Sequence, residues 1–330
     1  MLVPHLVLKG VNFNKMKSIF SIFICVALVL TIGSCKRSNK AQSASSDTTQ
    51  GAKSPNEDIL VGSLQVAVDA STLPLLKEQS EVFLSAYPNA KINFIAKPEL
   101  LAVKELLAGN ASVAVLAREL NEQESNYFKS RSITPRVFPV WKDGIVVIGN
   151  TNSADSSVTI ESLFKLLKGE NVGSKRIVFD NLNSSSFRYL QELGKIEKIA
   201  SNFVEAAGSA TDVLSEVAQN PNKLGVLGFL EYQDLVGSFS NKNNIRILSV
   251  QNTLGEDADS KFYLPSQSTI AAGQYPLQRT FYVLNYQPNL GLGIGFSAFL
   301  TGDRGQRIVL RSGIVPATMP GREIIVRDEI

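Results

Sequence analysis

Histidine and cysteine are almost missing from this chain of 330 residues. His5 is the single imidazole, and Cys25 and Cys35 are the only thiols. All three fall within the first 35 residues. The remainder therefore has no Ser-His triad, no thiol nucleophile, no zinc site built on Cys or His, and no disulfide framework. Carboxylate, hydroxyl, amide, Lys and Arg chemistry is what is left, and no metal or cofactor is expected. Charge of one sign is also lacking. The formal net charge is +3. Setting aside Lys9, Lys15 and Lys17, which precede or open a hydrophobic leader, leaves 30 basic and 30 acidic residues. A neutral body without a long Lys/Arg run offers no large positive field to a phosphate backbone, so nucleic acid is not an expected partner.

The leader itself runs from Ile19 to Ile32 behind Lys15 and Lys17, the pattern of an export signal. It is too short for a membrane-spanning helix, which needs about 20 apolar residues. Ile32-Gly33-Ser34-Cys35 follows directly and resembles the lipobox of bacterial lipoproteins, which implies lipidation of Cys35, a signal peptide over residues 1–34 and a true start at Met16. The alternative is an ordinary secretory signal cut near Ser34. Residues 36–58 are rich in Ser, Lys, Asn, Gln and Thr with three Ala as their aliphatic residues, so 35–58 reads as a flexible tether holding a globular body near a membrane.

The body alternates strand-like and helix-like segments. Leu64 to Val68 is a strand pattern, and Ser71 or Thr72 caps a helix from Leu73 to Leu84 with Pro74 in its first turn. Strands follow at 91–95 and 111–116, with a helix at 100–107 between them. Further strand patterns lie at 144–148, 176–179, 224–229, 245–250 and 280–284, and helical ones at 163–167, 187–193, 211–218 and 296–310, the last interrupted by Gly302 and Gly305. Such alternation implies parallel pairing and an α/β class.

Five stretches carry a resemblance: Val66 to Pro74, Ala111 to Glu119, Trp141 to Lys168, Ile177 to Ser186, and Tyr275-Pro276-Leu277-Gln278-Arg279, with Asp303 to Arg307 and Gly313 to Pro316 closing the chain. In this order they resemble the phosphate-binding proteins of bacterial ABC importers. Phe179-Asp180-Asn181 and Val315-Pro316-Ala317-Thr318-Met319-Pro320 look like a lipoprotein branch found in Bacteroidetes-type bacteria. The resemblance implies a two-lobed type II periplasmic-binding-protein fold, each lobe a mostly parallel sheet flanked by helices. Lobe one would comprise 59–143 plus 281–330 and lobe two 144–280, with crossings near Trp141 to Gly144 and Tyr275 to Thr280. It also implies a binding role without chemistry. The protein would hold phosphate or a similar small oxyanion in the interlobe cleft, facing the periplasm or exterior. Its partners would be an importer permease or envelope complex, and the membrane through Cys35.

A buried oxyanion can be held by hydroxyls and N–H groups at helix N-termini. Ser71 and Thr72 offer one such end, and Asn183, Ser184, Ser185 and Ser186 another; ordinary capping explains either taken singly. Arg118 is placed by the resemblance to grip an oxyanion bidentately, with a surface ion pair to Glu119 or Glu122 as the alternative. Arg188, one turn further along its helix, is read as part of a solvated face, and Trp141 as either core or cleft lining. Three departures stand out. Lys97-Pro98-Glu99-Leu100 replaces a Gly-Ser-Gly-type loop, the Ser-Gly-Thr triplet is Ser184-Ser185-Ser186, and Asp180 stands at the position of the phosphate-gripping Arg. Asp180 would repel a phosphate dianion, hold a cationic group of another ligand, or cap a turn. Two competing functions are kept. One is a carboxylate hydrolase pairing Asp180 with Glu231 or Asp234, and the other is a ligand-altered or ligand-free envelope interaction or sensory module.

Overall fold

A strand buried on both sides needs apolar residues at consecutive positions, and β1 (Gly62–Asp69) supplies them. Val66 and Val68 enter one hydrophobic cluster, with Leu76, Phe83 and Phe296, while Ala67 between them enters a second cluster with Ala102, Leu106 and Leu284. The computed structural model describes residues 58–170, 173–255 and 258–320. All of these belong to the compact unit Ala52–Ile330. The leader, Cys35 and nearly all of the tether lie outside the described residues.

After β1 come α1 (Leu73–Ala86), β2 (Ala90–Lys97), α2 (Glu99–Leu107), β3 (Val113–Leu116), α3 (Glu122–Lys129) and β4 (Arg136–Asn150). The middle of the chain forms β5 (Ser157–Val158), α4 (Ile160–Lys168), β6 (Arg176–Phe179), α5 (Ser185–Leu193), β7 (Val204–Ala206), α6 (Ala210–Gln219), β8 (Lys223–Gly228) and α7 (Phe229–Val236). The chain closes with β9 (Ile245–Ile247), β10 (Ser249–Gln251), β11 (Phe262–Tyr263), α8 (Gln267–Ala271), β12 (Gln278–Asn285), α9 (Leu292–Thr301), α10 (Asp303–Arg311) and β13 (Val315–Pro316). The expected strand over 245–250 is thus two short strands in different sheets, and the expected helix over 296–310 is two helices. Gly302 separates the latter with extended φ/ψ of −81° and 168°.

The main sheet runs β2-β1-β3-β12-β4-β8-β6-β7, with β13 and β9 also on β4. Expected parallel pairing holds on each flank, β2-β1-β3 and β8-β6-β7. The centre is antiparallel: β12 pairs so with β3 and β4, and β4 with β8. The fold class is therefore α/β with two halves sharing one long strand. Along β4, residues 136–144 pair with β12, and from Ile145 onward the partner is β8. At the change of partner, the Ile145 N–H donates to Leu277 O at 2.7 Å and the Tyr275 hydroxyl to Ile145 O at 2.5 Å. Pro139 has no N–H to give to the ladder, and the register with β12 shifts beside it, leaving Val140 as the bulged residue. Trp141 is fully buried and stacks on Phe281 at 5.3 Å, so it is core.

Candidate functional site

The candidate side chains stand at and just beyond the ends of β1, β3 and β6, and α5 meets α2 and the end of β3 across the seam between the two halves of the sheet. Asp69 ends β1. Its buried carboxylate accepts from the Ser71 N–H at 3.1 Å and the Ser71 hydroxyl at 2.9 Å, and the Thr72 hydroxyl donates to Asp69 O at 2.8 Å. Both hydroxyls at the α1 end therefore serve the turn that starts the helix. The other oxygen, Asp69 Oδ2, is buried without a hydrogen bond.

On the opposite side, Ser184 caps α5, accepting from the Phe187 N–H at 3.4 Å, and hydrogen-bonds the Asp180 side chain. Asn183 bonds back to Asn181 through its N–H at 2.8 Å, and its carbonyl accepts from the Leu100 N–H of α2 at 3.1 Å. Ser184, Ser185 and Ser186 are all buried. Ser185 Oγ accepts from Arg279 Nη1 at 2.5 Å, and Arg279 Nη2 lies 3.3 Å from Asp143 Oδ2. Asp143 Oδ1 in turn accepts from the Leu230 N–H at the start of α7, at 3.1 Å. One ion pair thus ties β4, β12, α5 and α7 together. Its space depends on Gly228, where a Cβ would stand 2.7 Å from Arg279 Nη2.

Arg118 leaves β3 and is held by Glu124, with Nη1–Oε2 at 2.6 Å and Nη2–Oε1 at 2.9 Å. Neither expected surface partner takes its side-chain charge: Glu119 offers only its carbonyl, at 2.9 Å, and Glu122 does not contribute. Arg188 is a correction. Instead of a solvated face it occupies the seam, buried, donating through Nε and Nη2 to Glu99 and at 2.5 Å to Glu192. Its partner Glu99 is fully buried and also accepts from the Ala117 N–H at 3.0 Å. Burial pushes the Glu99 carboxyl up, and Arg188 pulls it back.

The acids are brought together more than the sequence indicated. Burial pushes Asp180 up, Ser184 opposes that, and Asp69 adds to it. Glu231, in the first turn of α7, is pushed up to about 8, first by burial and then by the charges of Asp180 and Asp69. The Asp180 and Glu231 pairing considered for a hydrolase is thus a real electrostatic neighbourhood, whereas Asp234 lies exposed. Arg279, Asp143 and Glu99 were missed as site residues, although Arg279 closes the Tyr275-to-Arg279 stretch.

The family model described as the PBP superfamily domain matches residues 41–304. The chain belongs to the PBP superfamily. No curated protein sequence matches it. Among solved structures it is similar to a protein assigned as a phosphate ABC transporter substrate-binding protein from Clostridium perfringens, solved with bound phosphate. Identity is 17%, TM-score 0.61, and the match covers 78% of this chain and 100% of that one. It is also similar to an ABC-type phosphate transport receptor from Vibrio cholerae, at 18% identity and TM-score 0.60, covering 77% and 100% of the two chains. At such identities the likeness speaks for the fold, which is the type II periplasmic-binding-protein fold. Within this PBP-superfamily body, no helix among the described residues is long and apolar enough to cross a membrane.

Proposed function

We propose that this chain is an extracytoplasmic solute-binding lipoprotein that holds phosphate or a similarly small oxyanion at the seam and delivers it to an ABC-type importer. It performs no chemistry of its own. The observation that carries the reading is the start of α5, a helix N-terminus with three buried Ser residues, one of which, Ser185, takes the guanidinium of Arg279. Membership of the PBP superfamily and similarity to two phosphate-transport proteins support it. Residues 59–143 with 281–330 form one lobe and 144–280 the other, and the partner change of β4 at Gly144 supports that boundary. Ser71, Thr72, Arg118, Asp180, Asn183 and Ser184 to Ser186 are proposed to face the ligand, and Cys35 to anchor the chain by lipid.

Thermal titration of the full-length chain with phosphate, sulfate and molybdate tests this. A native-state ligand at a hundredfold excess over Kd stabilises by about 2.7 kcal/mol, so phosphate should raise Tm in a saturable, concentration-dependent way. Unchanged Tm with all three anions overturns the oxyanion assignment.

A further inference from the structure

Two arginines and a backbone N–H converge on one buried carboxylate at the seam. We propose that the Glu99 carboxylate is a tethered oxyanion: it fills an anion site formed by the Ala117 N–H, Arg188 and Arg118, and a free phosphate or carboxylate enters that site only by displacing it.

The site is complete without Glu99. Ala117 ends β3, Arg118 follows it, and Arg188 reaches over from α5, its Nη2 also 3.5 Å from Ala117 O. Donors from both halves of the sheet thus face one point, which is the arrangement that grips a small planar or tetrahedral anion. Glu99 enters from a third element, the first turn of α2, whose next residue is pinned across the seam by the Leu100 N–H on Asn183 O at 3.1 Å.

What separates this from a purely structural ion pair is an unused donor. Arg118 Nε is buried without a hydrogen bond and stands 3.7 Å from Glu99 Oε2, beyond hydrogen-bonding reach. Glu99 Oε1 accepts from the Ala117 N–H and Arg188 Nη2 and Oε2 from Arg188 Nε, and held in that pose neither oxygen reaches Arg118 Nε. A tetrahedral oxyanion carries further acceptors, so it could satisfy Arg118 Nε as well as the groups that Glu99 serves. A buried, unmet donor costs free energy that a better-matched occupant would recover. Because Glu99 is covalently attached, its effective concentration at the site is set by a short stretch of chain, and a free anion competes against that.

Calorimetric and thermal titration of the full-length chain with inorganic phosphate and with acetate, at fixed ionic strength in chloride, tests the proposal. Glu99→Ala is expected to lower Tm without added anion and to bind phosphate at least about tenfold more tightly than the unaltered chain, since the tethered competitor is gone. Where the unaltered chain already binds phosphate beside Ser185, the gain reads as a second equivalent. Adding Arg188→Gln should abolish the gain. Should E99A not fold, E99S, which likewise vacates the site, is read the same way. Affinity and stoichiometry unchanged in the variant overturn the proposal and leave the phosphate-binding reading intact. Binding in the variant with silence in the unaltered chain upholds it and overturns phosphate as the native ligand.

Discussion

Replacing Asp143 with alanine is expected to cost roughly 3–5 kcal/mol, the usual penalty for leaving a buried charge without its partner. The Asp143 and Arg279 side chains are 2% and 1% exposed, so water cannot take the place of the missing carboxylate. Arg279 would keep its bond to Ser185 and its position over the Phe281 ring, 4.9 Å from the centroid, but neither carries a compensating charge. The Leu230 N–H at the head of α7 would lose its acceptor as well. Urea unfolding of the single variant and of D143A/R279M measures this. The double variant should recover part of the loss, because an apolar pair removes both charges instead of stranding one. A D143A loss below about 1 kcal/mol would mean that the pair is solvated like a surface ion pair.

Stability should also fall as pH rises through neutrality, and Glu231 is the reason. Its folded-state value of about 8 lies far above the ordinary carboxyl value of 4.5. Between those values the native chain binds a proton that the unfolded chain has released, so stability declines with increasing pH across that window. Below about pH 4.5 both states are protonated, and above about pH 8 both are ionised, so the slope vanishes at each end. Glu231→Gln removes the titration while keeping the side-chain shape. It should gain roughly 2–4 kcal/mol over the unaltered chain at pH 8 and little at pH 4.5, a figure kept below the full shift because part of the side chain is accessible. Parallel urea midpoints for both proteins across pH 4.5 to 8.5 would refute this.

Much of this architecture was legible because local signals and tertiary demands agree. Val66 to Val68 and Val113 to Leu116 carry the continuous apolar runs that a strand buried on both faces requires, and Ser184 caps α5 as the Ser run and following helix pattern indicated. The failures have separate causes. The front of β4 was missed because Arg136, Pro139, Lys142 and Asp143 break the apolar pattern; those residues find their partners in β12, far away in sequence. Arg188 read as solvated because its pairing with Glu99 spans 89 residues, beyond the reach of any periodicity. The helix over 296–310 was read as one because its apolar spacing continues across Gly302, whereas the extended glycine turns the chain between two helices. Arg279 and Asp143 have no local signature at all; a buried ion pair becomes visible only when two strands are laid side by side.

The placement of β12 bears on the order in which the chain can acquire its shape. Half of the sheet, β6, β7, β8 and the second part of β4, is drawn from one continuous stretch of sequence, whereas β3 waits for a partner strand that begins at Gln278. A chain emerging from the N-terminus therefore presents the β2-β1-β3 flank with its β3 edge unpaired throughout synthesis of the middle segment. Non-local pairing of this kind is slow, and open edges are where misassociation begins.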